Sequence, residues 1–389
     1  MKLANRVQRV GESATLAVSR QAKELRASGI DVIDFSAGEP DFDSPPSAVE
    51  AACKALREGK TRYTAATGLP ELRHAVAADY NQRYGAPWSG DNVVITVGGK
   101  AALFELALAT VGVGDEVVIP LPYWVTFPEQ VRLAGGDPVF VETSVDDGFR
   151  LRADAVCSRL SERTRVVILN SPSNPTGRLI ERGDLEQIVE RCAERGILVI
   201  ADETYDRFVF GDEPFASAAP LAHRFGDVVV VVGSFSKTYA MTGWRIGYML
   251  GPPDVVRAVG TIQSHATSNP TTFAMYGALA ALGEAESRVE EMLRAYRGRR
   301  ALIERLLADL PGVRCAAPVG AFYVFPEVSE CYRDGRQGSV EFSRFLLEKA
   351  RVAVVPGIAF GCDDHIRISF ACSEERLQTG LDRIRDAIL

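Results

Sequence analysis

The chain has 389 residues, of which 47% are hydrophobic and 24% are charged, as in an ordinary globular protein. Its formal net charge is −7 and it has no block of lysine or arginine residues, which argues against a nucleic-acid-binding protein. No apolar run approaches the roughly 20 residues that cross a bilayer. At this length we expect two domains or one large α/β unit.

The cysteines and histidines give no sign of disulfides or of a metal site. Seven cysteines are scattered without a C-x-x-C pair, and four histidines form no H-E-x-x-H motif. Free thiols in a reducing compartment are the simplest interpretation. The first residues, MKLANRVQRVGESATLAV, are charged and lack the apolar core of a secretory signal. We therefore expect a soluble cytoplasmic protein without a bound metal.

Short runs rich in β-branched residues mark the middle of the chain. Because they are continuously apolar rather than alternating, they predict strands that are buried on both faces of a sheet. Helical patterns lie between several of them, so we expect an α/β fold with a mostly parallel sheet and helices on both faces. Functional residues should lie just beyond the strand ends. The seven runs are 92–99, 115–122, 137–142, 165–170, 197–202, 227–234 and 245–250.

A long helical pattern at 284–312 follows this block and ends at Pro311-Gly312. Beyond it lie strand-like segments at 320–328 and 365–371, and a helical segment around 339–351. We interpret the long helix as the bridge to a second, smaller α+β domain that also takes in the N-terminal residues. The predicted boundaries are 45–285 for the large domain, and 1–44 with 286–389 for the small one.

Two stretches could bind a phosphate group. TVGGKAALFELALA (96–109) runs from a strand through Gly98-Gly99 into a helix, whose first N–H groups suit an anion. Taken alone, an ordinary glycine-rich turn is the simpler interpretation. GSFSKTYAMTGWRIGY (233–248) places Lys237 among small hydroxyl residues, with Arg245 eight positions later. We predict that Lys237 is a covalent anchor and that Arg245 holds a phosphate.

Three further stretches place polar groups at strand ends or on a strand face. ILVIADETYDRF (197–208) ends a buried strand with Asp202 and continues to Tyr205, although Asp202 could simply cap a helix. LNSPSNPTG (169–177) carries Asn174 in a loop that could be only a turn. Arg367 in HIRISF could clamp a carboxylate bidentately, or be a solvated charge at a sheet edge.

Taken in order, G-G-K, P-Y-W, S-P-S-N-P-T-G, A-D-E-x-Y, S-F-S-K and H-I-R resemble the pyridoxal-phosphate-dependent enzymes of fold type I. The closest resemblance is to the bacterial aspartate aminotransferase group of the class I aminotransferases, and it covers nearly the whole chain. The resemblance implies a seven-stranded, mostly parallel sheet with a smaller α+β domain, pyridoxal 5'-phosphate as cofactor, and a homodimer with shared active sites.

The resemblance also implies a role for each site residue. Lys237 would form the Schiff base with the cofactor and then move the substrate's α-proton between two half-reactions. Asp202 would pair with the pyridine nitrogen, and Tyr205 and Asn174 would bind the phenolic oxygen. Trp124 would stack on the ring. The phosphate would be held by the Gly99 and Lys100 backbone, Ser234, Arg245, and Tyr63 of the neighbouring subunit.

The same resemblance points to amino-acid and 2-oxo-acid substrates. Arg367, with Asn174, Trp124 and the Gly38 backbone, would bind the α-carboxylate. One branch of the family binds the distal carboxylate with an arginine four residues before an S-N-P, where this chain has Ser264. The other branch uses the lysine of G-G-K, which is Lys100 here and favours aspartate with 2-oxoglutarate.

Other activities remain open at this stage. Aromatic, alanine, branched-chain or broad donor specificity would use the same catalytic residues, and so would a fold-type I lyase. Relatives that accept prephenate carry a basic residue just before S-A-T. Gly11 and Glu12 stand there in this chain, which argues against prephenate.

Overall fold

The computed structural model describes residues 3–11, 14–211, 214–333 and 335–389. No helix within these ranges combines the length and the apolar character that a membrane span needs. The strands in the described residues are β1 (Ile33–Asp34), β2 (Val93–Thr96), β3 (Glu116–Leu121), β4 (Asp137–Glu142), β5 (Thr164–Asn170), β6 (Leu198–Asp202), β7 (Val229–Ser234), β8 (Gly247–Leu250), β9 (Tyr323–Val324), β10 (Val352–Ala353), β11 (Val355–Pro356) and β12 (Ile366–Ser369).

Helices lie between most of these strands. They are α1 (Asn5–Gln8), α2 (Ala14–Ala27), α3 (Pro46–Arg57), α4 (Pro70–Tyr84), α5 (Gly99–Thr110), α6 (Thr126–Ala134), α7 (Ala153–Cys157), α8 (Arg182–Ala193), α9 (Ala222–Phe225), α10 (Phe235–Thr238), α11 (Pro253–Ala266), α12 (Thr272–Gly283), α13 (Ala285–Ala308), α14 (Gly338–Phe345) and α15 (Glu374–Ile388). A π-helical turn, Leu346–Ala350, continues α14.

The large sheet has seven strands in the order β2-β8-β7-β6-β5-β3-β4. β8 is antiparallel to both of its neighbours, and the other pairs are parallel. Six of the seven predicted runs contain one of these strands, and β5 begins one residue before the seventh, so the predicted α/β fold with a mostly parallel sheet is confirmed. The parallel strands end at one edge, where the polar residues that follow them gather.

Successive strand residues face two separate cores, because side chains alternate between the faces of a sheet. In β6, Val199 belongs to the core that α3, α4, α8 and α12 cover, whereas Leu198 and Ile200 belong to the core under α5, α6 and α11. The prediction of strands buried on both faces is therefore confirmed.

A third core joins the two ends of the chain. Phe35 beyond β1 packs with Tyr296 of α13, Phe322 before β9 and Phe370 after β12. The sheet here is β11-β12-β9, and β1 pairs with β10. The predicted strand at 320–328 is only two residues long, because Ala321 has a positive φ of 55° before it and Pro326 has no N–H to donate after it.

Candidate active site

A cavity of about 290 Å³ lies at the carboxyl edge of the large sheet. Its walls come from the ends of β5, β6 and β7, the start of α5, the loop before α6, and β12. Eleven of the twelve residues predicted from the sequence line it: Gly38, Gly99, Lys100, Trp124, Asn174, Asp202, Tyr205, Ser234, Lys237, Arg245 and Arg367. The topology thus brings together side chains that are far apart in the sequence.

Lys237 lies on α10, a single helical turn directly after β7. Ser234 starts this turn, because its hydroxyl accepts a hydrogen bond from the Ser236 N–H at 3.0 Å. Lys237 Nζ donates a hydrogen bond to the Gly38 carbonyl oxygen. Burial lowers the pKa of this amine to about 8, and the positive charges of Arg367 and Arg245 act in the same direction. A substantial neutral fraction therefore exists near pH 8.

The turn before α5 meets the segment around Arg245. Gly98 precedes the helix with a φ of +78°, and a side chain there would collide with the Arg245 guanidinium. Arg245 itself is in the left-handed region, and its Nη1 donates to the Thr242 carbonyl at 2.8 Å. Free helical N–H groups, the Ser234 hydroxyl and a guanidinium make this end of the cavity suitable for a phosphate.

Asp202 is the last residue of β6 and is only 5% exposed. Its Oδ1 accepts the Thr204 backbone N–H at 3.1 Å, and within the described chain it forms no ion pair with a lysine or arginine. Burial raises the pKa of this carboxyl to about 6, against hydrogen bonds from Thr204 that lower it. A buried acid in this position suits a cationic ring nitrogen.

Tyr205 follows in the same segment and is 5% exposed. Its hydroxyl lies 2.9 Å from the Tyr323 hydroxyl, and burial raises the Tyr205 pKa well above its ordinary value. The phenol is therefore neutral and can donate a hydrogen bond into the cavity.

Arg367 is 2% exposed, so it is not the solvated edge charge that the sequence left open. Its Nη1 donates to Asn174 Oδ1 at 3.1 Å and its Nη2 to the Ser36 carbonyl at 2.7 Å. Burial lowers the pKa of the guanidinium, although nearby tyrosines oppose the shift. A buried cation held by neutral partners can accept a carboxylate with little rearrangement.

Lys100 and Trp124 lie together at another wall. Lys100 Nζ is 5.0 Å from the centre of the Trp124 ring, and the Lys100 carbonyl accepts a hydrogen bond from Gln130. Partial burial lowers the pKa of the Lys100 amine, and Arg245 lowers it further. Among the described residues no carboxylate forms an ion pair with Lys100.

Tyr63 is the one predicted site residue outside the cavity. Its side chain is 87% exposed, which leaves it free to reach beyond this chain. Of the pair that bears on prephenate, Gly11 donates its N–H to Glu129 at 3.2 Å, and Glu12 lies outside the described residues.

Six cavity residues were not predicted from the sequence. Thr204 and Ser236 stand beside predicted residues, and Asn170 ends β5, so a rule that includes every polar residue at a strand end would have found them. Tyr323 gave no such signal because it lies in an aromatic run. The six are Leu103, Val125, Asn170, Thr204, Ser236 and Tyr323.

The donor set fits pyridoxal 5'-phosphate on structural grounds. Glycine at position 98 lets the Arg245 guanidinium lie against the start of α5, where both can bind a phosphate, and the buried Asp202 suits a protonated ring nitrogen. Lys237 supplies an amine of lowered pKa for a covalent bond. Fold and cavity together define a pyridoxal-phosphate-dependent enzyme of fold type I.

Comparison with known proteins agrees. Residues 30–384 match the model of the aminotransferase class I and II family, and this chain belongs to that family. It is 46% identical to a probable aspartate/prephenate aminotransferase of Aquifex aeolicus, over 99% of this chain and 98% of that protein. It is 42% identical to an aspartate aminotransferase of Geobacillus stearothermophilus, over 99% and 98% of the two chains.

A solved structure has the same fold over its whole length. The Thermus thermophilus aspartate aminotransferase with maleate has a TM-score of 0.94 and 39% sequence identity, and the match covers 100% of both chains. The protein described here is therefore a pyridoxal-phosphate-dependent aminotransferase.

Proposed function

We propose that this aminotransferase moves the amino group of L-aspartate to 2-oxoglutarate. The observation that carries the proposal is the pair of cations, Arg367 and Lys100, that line the same cavity without an ion-pair partner in the described residues. Aspartate and 2-oxoglutarate each carry two carboxylates. Arg367 would bind the one beside the reacting carbon and Lys100 the distal one. The relatives named as aspartate aminotransferases support this choice.

Lys237 would carry the central chemistry. Its Nζ would bind the cofactor through a Schiff base, and the free amine would then take up the substrate's α-proton and deliver it again. A pKa of about 8 supports both tasks, because the amine must be neutral to accept a proton. When bound, pyridoxal phosphate supplies an electron sink for the charge that proton removal creates.

The remaining cavity residues would hold and orient the cofactor. Asp202 would keep the ring nitrogen protonated, and Tyr205 and Asn174 would donate hydrogen bonds to the phenolic oxygen. Trp124 would cover the ring face. The Gly38 backbone would help to bind the substrate carboxylate. The phosphate would be held by the backbone N–H groups of Gly99 and Lys100, Ser234 and Arg245.

The working form would be a homodimer with shared active sites. Tyr63, exposed in the single chain, would reach the phosphate in the partner subunit. We also propose a cytoplasmic location, supported by seven cysteines that are all free. The domain boundaries at 44–45 and 285–286 stay a prediction, supported by the separate core that joins β1 to α13 and β12.

Donor selection can be tested with a spectroscopic half-reaction. Aspartate, glutamate, alanine, phenylalanine and leucine would be mixed separately with the cofactor-loaded enzyme, and loss of its visible absorbance would be followed. We expect fast conversion by the acidic donors. Lys100→Ala should slow these donors about 10- to 100-fold and leave apolar donors nearly unchanged, because one charge-assisted hydrogen bond contributes about 1.5–3 kcal/mol.

The matched control is Lys54→Ala, which removes a lysine that pairs with Glu58 on the surface of α3. This variant should behave as the unsubstituted enzyme with every donor. Equal or faster conversion by the apolar donors would keep the aminotransferase and discard aspartate as its substrate. None of these five donors has a leaving group on Cβ, so L-serine would be added as a sixth amino acid: its conversion to pyruvate and ammonia without a keto-acid acceptor would instead indicate a lyase.

A further inference from the structure

Tyr323 contacts two of the residues proposed to act on cofactor and substrate. It lies on β9, whose partner β12 carries Arg367, and it is fully buried. Its hydroxyl is 2.9 Å from that of Tyr205, and the Arg367 guanidinium lies 4.6 Å from the centre of its ring. The ring is therefore packed on Arg367, and the hydroxyl contacts that of Tyr205.

The backbone around the Tyr323 hydroxyl leaves it little freedom. A side chain at Gly38 would come within 2.9 Å of this hydroxyl, so any larger residue there would displace the hydroxyl. The carbonyl of the same Gly38 accepts the hydrogen bond from Lys237. Tyr205, Arg367 and Glu39 are the titratable groups that act on Tyr323, and burial keeps the Tyr323 pKa above its ordinary value. The phenol is thus a neutral donor in a fixed place.

The direction of the hydrogen bond between Tyr205 and Tyr323 is fixed once Tyr205 binds the cofactor. Each phenol has one proton to donate. If the Tyr205 O–H donates its hydrogen bond to the cofactor's phenolic oxygen, the 2.9 Å hydrogen bond between the two tyrosine hydroxyls can persist only with Tyr323 as the donor. A tyrosine that accepts a hydrogen bond becomes a better donor, because hydrogen bonds in a chain polarise one another.

From this geometry we infer that Tyr323 is a positioning residue with two separable parts: its hydroxyl strengthens Tyr205 as a donor, and its ring holds Arg367 in place for the substrate carboxylate. The inference rests on the proposed roles of Tyr205 and Arg367. The Tyr323 side chain would then connect the residue that binds the cofactor, Tyr205, with the residue that binds the substrate carboxylate, Arg367.

Two variants separate the two parts. Tyr323→Phe removes only the hydroxyl. The apparent pKa of the visible absorbance of the cofactor-loaded enzyme should therefore rise by about 0.3–0.5 unit. The affinity for maleate, an unreactive dicarboxylate, should change less than about twofold, because the ring remains. Tyr323→Leu also removes the ring, and maleate should bind about five- to tenfold more weakly. Absorbance titration and maleate binding are both read without turnover.

Tyr296→Phe is the matched control. Tyr296 is a buried tyrosine of the same aromatic cluster, and the centre of its ring lies 5.4 Å from that of Phe322. Its hydroxyl has no hydrogen-bond partner among the described residues. Its loss should change neither readout. An unshifted titration in Tyr323→Phe would overturn the hydroxyl role, and unchanged maleate binding in Tyr323→Leu would overturn the ring role. Failure of the unsubstituted enzyme to bind the cofactor or to transaminate would instead refute the proposed function.

Discussion

Lys237 has a lowered pKa because its ammonium is buried beside three other cations. Desolvation is the largest cause, and Arg367, Arg245 and Lys100 add repulsion, while Glu39 opposes the shift. A charged lysine in this place would be costly without a partner, and the Gly38 carbonyl is a neutral one. Both protonation states of Lys237 are therefore populated near pH 8.

Lys237→Ala should abolish turnover and leave the fold intact. The substitution removes both the covalent anchor and the proton carrier, so we expect a loss of at least about 10²–10⁴-fold in kcat. A coupled transamination assay measures this loss. Circular dichroism and equilibrium dialysis with pyridoxal phosphate check that the fold and some cofactor binding remain. Turnover near that of the unsubstituted enzyme would contradict the proposed role of Lys237.

Asp202 should make the cofactor-free protein less stable at high pH. The pKa of this carboxyl is about 6 in the folded protein and about 3.8 in the unfolded chain. Its favourable contribution to the free energy of unfolding is therefore complete below pH 3.8 and is lost as the pH rises through 6. Asp202→Asn apoprotein should therefore be more stable than the unsubstituted apoprotein at pH 8, by on the order of 1–3 kcal/mol.

Urea unfolding at pH 8 and pH 5 measures this difference, which should shrink at the lower pH. With cofactor bound the order should reverse, since the asparagine cannot compensate a protonated ring nitrogen. An Asp202→Asn apoprotein no more stable than the unsubstituted one at pH 8 would contradict the burial cost that we assign to this carboxyl.

At the scale of elements, the turn into α5 depends on close approach of two backbone segments. A side chain at Gly247 of β8 would collide with Gly98 and Gly99, and one at Gly98 with Arg245. These glycines let the helix start lie directly against the arginine. The element can therefore present its N–H groups and a guanidinium to one anion.

Gly98→Ala should weaken cofactor binding by about tenfold or more. Alanine at a φ of +78° is strained by about 1 kcal/mol or more, and its methyl group displaces the Arg245 guanidinium. Equilibrium dialysis measures the affinity. Gly183→Ala, on the first turn of α8 with open space around it, is the control and should bind as tightly as the unsubstituted enzyme. Equal binding by the two variants would remove Gly98 from the phosphate site.

At the scale of the molecule, Tyr63, the one predicted site residue outside the cavity, tests whether the active site is shared between two subunits. A shared site predicts that a purified hybrid dimer of one Tyr63→Ala chain and one Lys237→Ala chain has about half the activity of the unsubstituted dimer, because one site keeps both residues. The control hybrid replaces the second chain with a Tyr63→Ala/Lys237→Ala double variant, and its Lys237 site lacks both copies of Tyr63. Equal activities of the two hybrids would show that Tyr63 does not act across subunits.

The sequence by itself determined the strands of the large sheet and the polar residues at their ends. Continuous apolar runs allowed all seven strands of the large sheet to be predicted, because strands buried on both faces need no polar alternation. Asp202, Asn174 and Lys237 were found because each stands at the end of such a run or within four residues after it, and parallel strands bring their ends to one edge. Resemblance of the ordered motifs then indicated the family.

Only the tertiary structure decided which groups meet. Arg367 donates to Ser36 across 331 positions and Lys237 to Gly38 across 199, and no local pattern encodes such pairs. Tyr323 lies in the aromatic run GAFYVF (320–325), a pattern that predicts burial and carries no sign of the contact between its hydroxyl and that of Tyr205. Local periodicity reports whether a side chain is buried, whereas its partners depend on how distant elements pack, and that is why the burial pattern could be read from the sequence and the contacts inside the cavity could not.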